Sequence, residues 1–177
     1  TNVNSNYRSD LQGQADQVSP QWENRIATGN GYSSVAFPTN LATVLTIQYY
    51  DDYNFPGGNP YAYSAGSKQT RGLLTGKKVG VLGTSNMLWS VYYYDQEGRV
   101  IKEFKQHYKG GSLVAANVDE ISNSYNFTDD LLSTRRIHKV NGSQSLDYFT
   151  EYNYDHRSRL TDVWHQINGQ SKTHVSN

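Results

Sequence analysis

Three segments of this chain repeat one pattern. Tyr93-Tyr94-Asp95-Gln96-Glu97-Gly98-Arg99-Val100 is the clearest copy, and Tyr152-Asn153-Tyr154-Asp155-His156-Arg157-Ser158-Arg159-Leu160 is a second. A degraded third is Tyr125-Asn126-Phe127-Thr128-Asp129-Asp130-Leu131-Leu132. Aligned on the aromatic before the turn, the copies fall at Tyr94, Phe127 and Tyr154, 33 residues from 94 to 127 and 27 from 127 to 154. A repeat of this length constrains the fold more than any single residue, because each unit must bury its apolar face against its neighbours.

One copy reads as a hairpin. Val91-Tyr92-Tyr93-Tyr94 suits a pleated, half-buried strand. Asp95 and Gly98 then stand three apart. Asp at the first position of a type I turn bonds the backbone ahead of it, and Gly at the last takes positive φ without penalty. The strand resumes at Arg99-Val100-Ile101-Lys102-Glu103-Phe104, with Val100, Lys102 and Phe104 on one side. In the second copy Ser158 replaces Gly98.

The form Tyr-Tyr-Asp-x-x-Gly-Arg-Val resembles the tyrosine-aspartate repeat of the Rhs/YD family. Thr46-Ile47-Gln48-Tyr49-Tyr50-Asp51-Asp52-Tyr53-Asn54-Phe55 resembles a segment of large Rhs-type proteins of the Bacteroides group. So do Thr70-Arg71-Gly72-Leu73-Leu74-Thr75-Gly76-Lys77-Lys78-Val79 and the Val81-Leu82-Gly83-Thr84 that follows. The resemblance covers residues 41–169 and is closest at 90–104 and 147–164. It implies strands spiralling into a hollow β-shell around an enclosed segment, often a toxin. It also implies a fragment of a longer secreted or cell-surface bacterial chain. Thr1-Asn2-Val3, with no Met, is expected to begin an excised piece.

Composition narrows the classes of function. The 177 residues can bury a core as one domain, and the formal net charge is zero. Nucleic-acid binding, which calls for a basic stripe, is not expected. Lys77-Lys78 and Arg135-Arg136 are too short to alter that. With no Cys there is no disulfide, zinc-thiolate site or thiol nucleophile. No run reaches the roughly 20 apolar residues of a membrane span. Fifteen Tyr against five Phe and three Trp fit a sheet with one packed face and one wet face. Cross-strand aromatic ladders are the preferred reading of them, and a sugar-stacking surface is the alternative.

Along the chain, residues 1–40 form a polar, partly irregular segment and residues 41–177 the repeat sheet. Ser19-Pro20 reads as the start of a short helix, and the first few residues as disordered. Strands are expected over 43–50, 77–82, 87–94, 99–107, 118–127, 131–140, 147–154, 159–168 and 171–175. Asn141-Gly142 and Asn168-Gly169 mark tight hairpins. The fold class is therefore all-β, an antiparallel meander forming a twisted, curved open sheet. Its exposed edges invite pairing with a second copy.

No catalytic motif is present, and an enzyme is not expected. His107, His138, His156, His165 and His174 show no helical His-x-x-x-His spacing and read as ordinary sheet histidines. Asp51-Asp52 and Asp129-Asp130 read as turn caps. Glu23, Asp51, Glu103 and Glu151 are the carboxylates from which a glycosidase pair would have to come. No cofactor or metal is expected. The residues singled out are architectural: Tyr94, Asp95, Gly98, Arg99, Phe127, Tyr154, Asp155 and Arg159. Trp89 and Trp164 are the candidates for stacking a glycan. The leading reading is a scaffold segment, and its partners are the rest of its own chain and an enclosed toxin or glycan.

Overall fold

A computed structural model describes residues 5–39, 43–66 and 69–176. Helix α1 spans Ser5–Asp16. Nine strands follow among the described residues: β1 Thr46–Asp51, β2 Thr70–Gly80, β3 Met87–Tyr94, β4 Val100–Gln106, β5 Val118–Tyr125, β6 Leu131–Val140, β7 Ser143–Tyr154, β8 Leu160–Ile167 and β9 Thr173–Ser176. They make one open antiparallel sheet in sequence order, β1 through β9. The expected meander is thus present.

Local chemistry sets each connection. Asn141 and Gly142 have φ of 49° and 81°, and Asn168 and Gly169 have 48° and 72°. Positive φ at both central residues gives the primed turn whose twist matches the flanking strands.

Some boundaries differ from the sequence reading. β2 begins at Thr70, seven residues before the expected start at Lys77. No helix opens at Ser19-Pro20; the helix lies earlier, at Ser5–Asp16. The chain after Pro20 is instead a loop of bends and turns held by its own side-chain and backbone contacts. The Glu23 carboxylate accepts from Ser33 Oγ (2.6 Å), Val35 N (3.2 Å) and Ala36 N (2.9 Å), and Arg25 bridges Tyr32. The expected boundary at 40/41 lies outside the described residues, as do the first four residues, and β1 begins at Thr46, three residues after the expected start at Thr43. α1 packs against no strand among the described residues.

The core is lopsided. Ile47, Tyr49, Phe55, Tyr61, Val91, Tyr93, Phe104 and Val118 form one buried cluster. Five come from β1, β3 and β4 on one face, one from the start of β5, and two from the loop between β1 and β2, which folds back over that face. Tyr53 stacks on Tyr93 with ring centroids 4.5 Å apart, and Tyr61 on Phe104 at 5.3 Å. The loop is fastened by Tyr hydroxyls: Tyr53 donates to Tyr92 O (2.8 Å), Tyr61 to Ala115 O (2.9 Å) and Tyr93 to Tyr61 O (2.6 Å). Registers carry this face across the sheet from Phe104 to Glu120, Ile137 and Asp147. Beyond β5 the same face bears polar and half-buried side chains, so the sheet has a covered half and an open half.

Candidate functional site

The repeat turns lie along one end of the sheet and share one geometry. In the first, Gly98 N donates to Asp95 O (3.3 Å) and Asp95 N to Arg99 O (3.0 Å). Asp95 Oδ1 accepts from Glu97 N (3.1 Å) and Arg99 N (2.9 Å). Gly98 has φ of 82°, which makes a type I turn closed by a bulge, as the Asp and Gly spacing requires. In the last turn Asp155 Oδ1 accepts from Arg157 N (2.8 Å) and Arg159 N (3.0 Å), and Ser158 has φ of 57°.

The middle turn corrects the alignment. There the accepting side chain is Asn126, whose Oδ1 takes Thr128 N and Asp130 N, both at 2.9 Å. Asp129, with φ of 68°, stands where Gly98 and Ser158 stand. The aromatic equivalent to Tyr94 and Tyr154 is therefore Tyr125. Phe127 lies two residues on, at the tip of the turn, 96 % exposed. Asn in place of Asp, with an aromatic and an Asp pair just after it, displaces the sequence alignment by two.

Each turn is preceded by a bulged pair: Tyr94 with Val100, Tyr125 with Leu131, and Tyr154 with Leu160. Each of these tyrosines reaches back one strand. Tyr94 donates to Leu74 O (2.6 Å), Tyr125 to Val100 O (3.1 Å) and Tyr154 to Leu131 O (3.0 Å). Burial, with the neighbouring Tyr92 and Glu103 oxygens, pushes the Tyr94 hydroxyl up to about 12, so it stays a donor. Burial raises Tyr125 and Tyr154 as well.

The turns are also tied to one another. Arg99 Nε holds Asp95 Oδ2 at 2.6 Å, while one terminal nitrogen crosses to the next turn, reaching Asp129 Oδ1 (2.7 Å) and Asn126 O (2.9 Å). Its guanidinium lies 5.0 Å from the Tyr125 ring centroid. Asp130 Oδ2 then accepts from Ser158 Oγ at 2.9 Å, tying the middle turn to the last. Among the described residues Arg159 grips only its own Asp155 (2.7 Å), and its side chain is 70 % exposed.

Trp89 and Trp164 share a face but not a site. Trp89 packs into the core, 5.6 Å from Tyr49 and 5.1 Å from Phe55, under the Lys78 ammonium. Trp164 lies on the open half against His174, at 4.6 Å. That half also carries a depression lined by Arg135, Asp147, Phe149, Gln166 and Gly169. Arg135 and Asp147 form a two-point pair across it, at 2.9 and 2.5 Å, which holds the Asp147 carboxyl below its usual range.

The carboxylates considered for hydrolysis are dispersed among separate partners. Glu23 clamps the early loop, Asp51 Oδ1 takes Gly72 N (2.6 Å), Glu103 pairs with Lys105 (3.0 Å) and Glu151 with Lys172. A grouping that the sequence reading passes over is His107, Asp119 and His138, brought together from β4's end, β5 and β6. Each offers a ligand atom within 4.8 Å of the others.

Among the described residues no helix is long and apolar enough to cross a membrane. Compared with protein-family models, with curated proteins and with solved structures, the chain matches none.

Proposed function

We propose that this chain is a non-catalytic scaffold segment. It is a stretch of Rhs/YD-type repeat sheet contributing to the wall of a β-shell in a large secreted or surface bacterial protein. The observation that carries this reading is the way each hairpin completes the one before it. A tyrosine from each hairpin satisfies a carbonyl of the preceding strand, and side chains link successive turns. Such an array has no natural stop, and its stability grows by nearest-neighbour interfaces. At one side Arg159 presents a guanidinium where Arg99 holds the next turn.

The two sheet edges support the same reading by their difference. At β1, Tyr32 Oη donates to Gln48 O (2.5 Å) and Arg25 to Tyr50 O (3.4 Å), so side chains of the early loop cap the outer carbonyls. At β9 no strand lies alongside the outer edge among the described residues. A bare edge is a template for another strand, whether from the rest of its own chain or from a second copy. Light scattering over a concentration series tests this. The expected result is a dimer or larger species that Thr173→Lys with Val175→Lys returns to monomer. A concentration-independent monomer from the unsubstituted chain would overturn the edge-pairing part of the reading.

The second reading is a carbohydrate-binding surface. It is favoured by the open half of the sheet, where Phe149 lies beside the planar polar groups of Arg135, Asp147 and Gln166. A ring floor with fixed donors and acceptors is what a sugar face and its hydroxyls require. Glycan-array binding lost on Phe149→Ala would establish it; an array with no signal would leave the scaffold reading alone.

A further inference from the structure

We propose that His107, Asp119 and His138 bind one divalent first-row transition ion of the zinc class. The three lie on the face opposite the aromatic core. His107 follows β4, Asp119 lies in β5 and His138 in β6 directly across from it. One nitrogen or oxygen from each lies within 4.8 Å of the other two, and all three are half-buried.

The donor set is partly oriented. His138 Nδ1 donates to Asp119 Oδ1 at 2.6 Å, since a carboxylate oxygen only accepts. His107 Nε2 lies 3.0 Å from Lys139 O. A carbonyl only accepts, so Nε2 carries the hydrogen and Nδ1 of His107 keeps a bare lone pair. Pinning one ring nitrogen on a backbone carbonyl is how proteins fix a metal-binding imidazole. The two rings are stacked with centroids 4.5 Å apart and planes 20° from parallel, so one of them must tilt before both nitrogens face a single ion.

Binding needs a local rearrangement in which one ring leaves the stack. The ion replaces the proton between Asp119 Oδ1 and His138 Nδ1, and that proton moves to Nε2 of the same ring. With metal–ligand bonds of 2.0–2.2 Å at tetrahedral angles, ligand atoms stand about 3.3 Å apart. The Asp119–His138 gap therefore opens by about 0.7 Å, and His107 closes in by at most about 1.5 Å. Two imidazoles and one carboxylate select zinc, cobalt or nickel over calcium or magnesium, which prefer oxygen alone. Water fills the remaining position.

The surrounding charges set the affinity. Arg136 holds Asp119 Oδ2 at 2.6 Å and opposes a cation. Lys105 lies opposite Asp119 in register but pairs with Glu103 at 3.0 Å. The Lys139 ammonium is drawn to Glu120 at 2.5 Å. Arg136 is thus the cation to remove. Sequence spacing gave no sign of this group, since its members are 12 and 19 residues apart, from 107 to 119 and from 119 to 138.

The test is calorimetric titration of the tag-free chain with Zn²⁺, with Co²⁺ absorption as the spectroscopic probe and Ca²⁺ as the control. The expected result is one Zn²⁺ per chain, a tetrahedral-type Co²⁺ spectrum and no heat with Ca²⁺. His107→Gln and His138→Gln each weaken binding about tenfold or more. Arg136→Gln tightens it, and His156→Ala leaves it unchanged. Absence of Zn²⁺ binding, or binding indifferent to both His substitutions in chains that retain their native circular dichroism, would overturn the proposal.

Discussion

The Tyr125 hydroxyl donates to the carbonyl of Val100 at 3.1 Å, and Val100 is itself the residue that closes the preceding bulged turn opposite Tyr94. The same relation recurs between Tyr154 and Leu131. Each hairpin therefore satisfies a carbonyl that the bulge of its predecessor leaves outside the regular ladder. Removing the Tyr154 hydroxyl takes that donor from Leu131 O, whereas Val100 O keeps Asn123 Nδ2 at 2.9 Å when Tyr125 loses its own. Tyr154→Phe is expected to cost about 0.5–1.5 kcal/mol, and Tyr125→Phe less, because Asn123 still serves the Val100 carbonyl. Tyr94→Phe, whose residue is only 7 % exposed, is expected to cost about 1–3 kcal/mol. Urea unfolding checks the order, and equal losses at 94 and 154 would contradict it.

Arg99 and Arg159 occupy the same position in their turns with different surroundings. Arg99 joins Asp95, Asp129 and the Asn126 carbonyl, whereas among the described residues Arg159 joins Asp155 alone. An exposed pair contributes little, while a network that crosses between hairpins fixes their relative placement. Arg99→Gln is expected to lower the urea midpoint clearly, and Arg159→Gln to leave it nearly unmoved. Arg99→Lys should recover little, because one ammonium cannot reproduce the forked contacts.

The turn carboxylates make stability acid-sensitive. Burial alone would raise Asp95, but the Arg99 N–H and guanidinium and the Glu97 N–H outweigh it and hold the carboxyl below its usual value. Hydrogen bonds from the Arg159 side chain and from the Arg159 and Arg157 amides depress Asp155. A carboxyl depressed in the folded state binds fewer protons there than in the unfolded chain. Its contribution is complete above the ordinary value of 3.8 and is lost as pH falls through the lower folded value. The melting temperature is therefore expected to hold steady near neutrality and to drop below about pH 4. Asp95→Asn should flatten part of that drop. A melting temperature that rises on acidification from pH 5 to pH 3 would contradict the assignment.

The meander was readable because each tight turn announces itself in two or three residues. Asp95 with Gly98, Asn141-Gly142 and Asn168-Gly169 all stand where the sequence places turns. The middle turn was misplaced by two residues because Asn126 does the work of Asp, and Phe127 reads as a strand aromatic although it is exposed. The folded-back loop bearing Tyr53, Phe55 and Tyr61 was not legible. Its aromatics have no period of their own, and they are buried only because β1 to β4 present a surface that they fit. The histidine cluster was hidden for a related reason, since strand register rather than spacing assembles it.

That folded-back loop supplies a sharp test of the core. Gly76, in β2, faces the Phe55 ring, and a Cβ built there would lie 2.7 Å from Phe55 Cζ. The ring cannot retreat cheaply, because Tyr49 and Trp89 back it at 5.3 and 5.1 Å. Gly in a strand is ordinarily a weakness, so Ala would be stabilising if the space were open. Here the close approach of the ring reverses the sign. Gly76→Ala is expected to destabilise by about 1–3 kcal/mol through overpacking. Phe55→Leu in the same chain should recover part of that loss, since it withdraws the ring that the new methyl meets. Denaturant unfolding of the two single variants and the double variant measures the coupling. An additive result would mean that the ring does not lie on Gly76, and that the loop covers the sheet in another way.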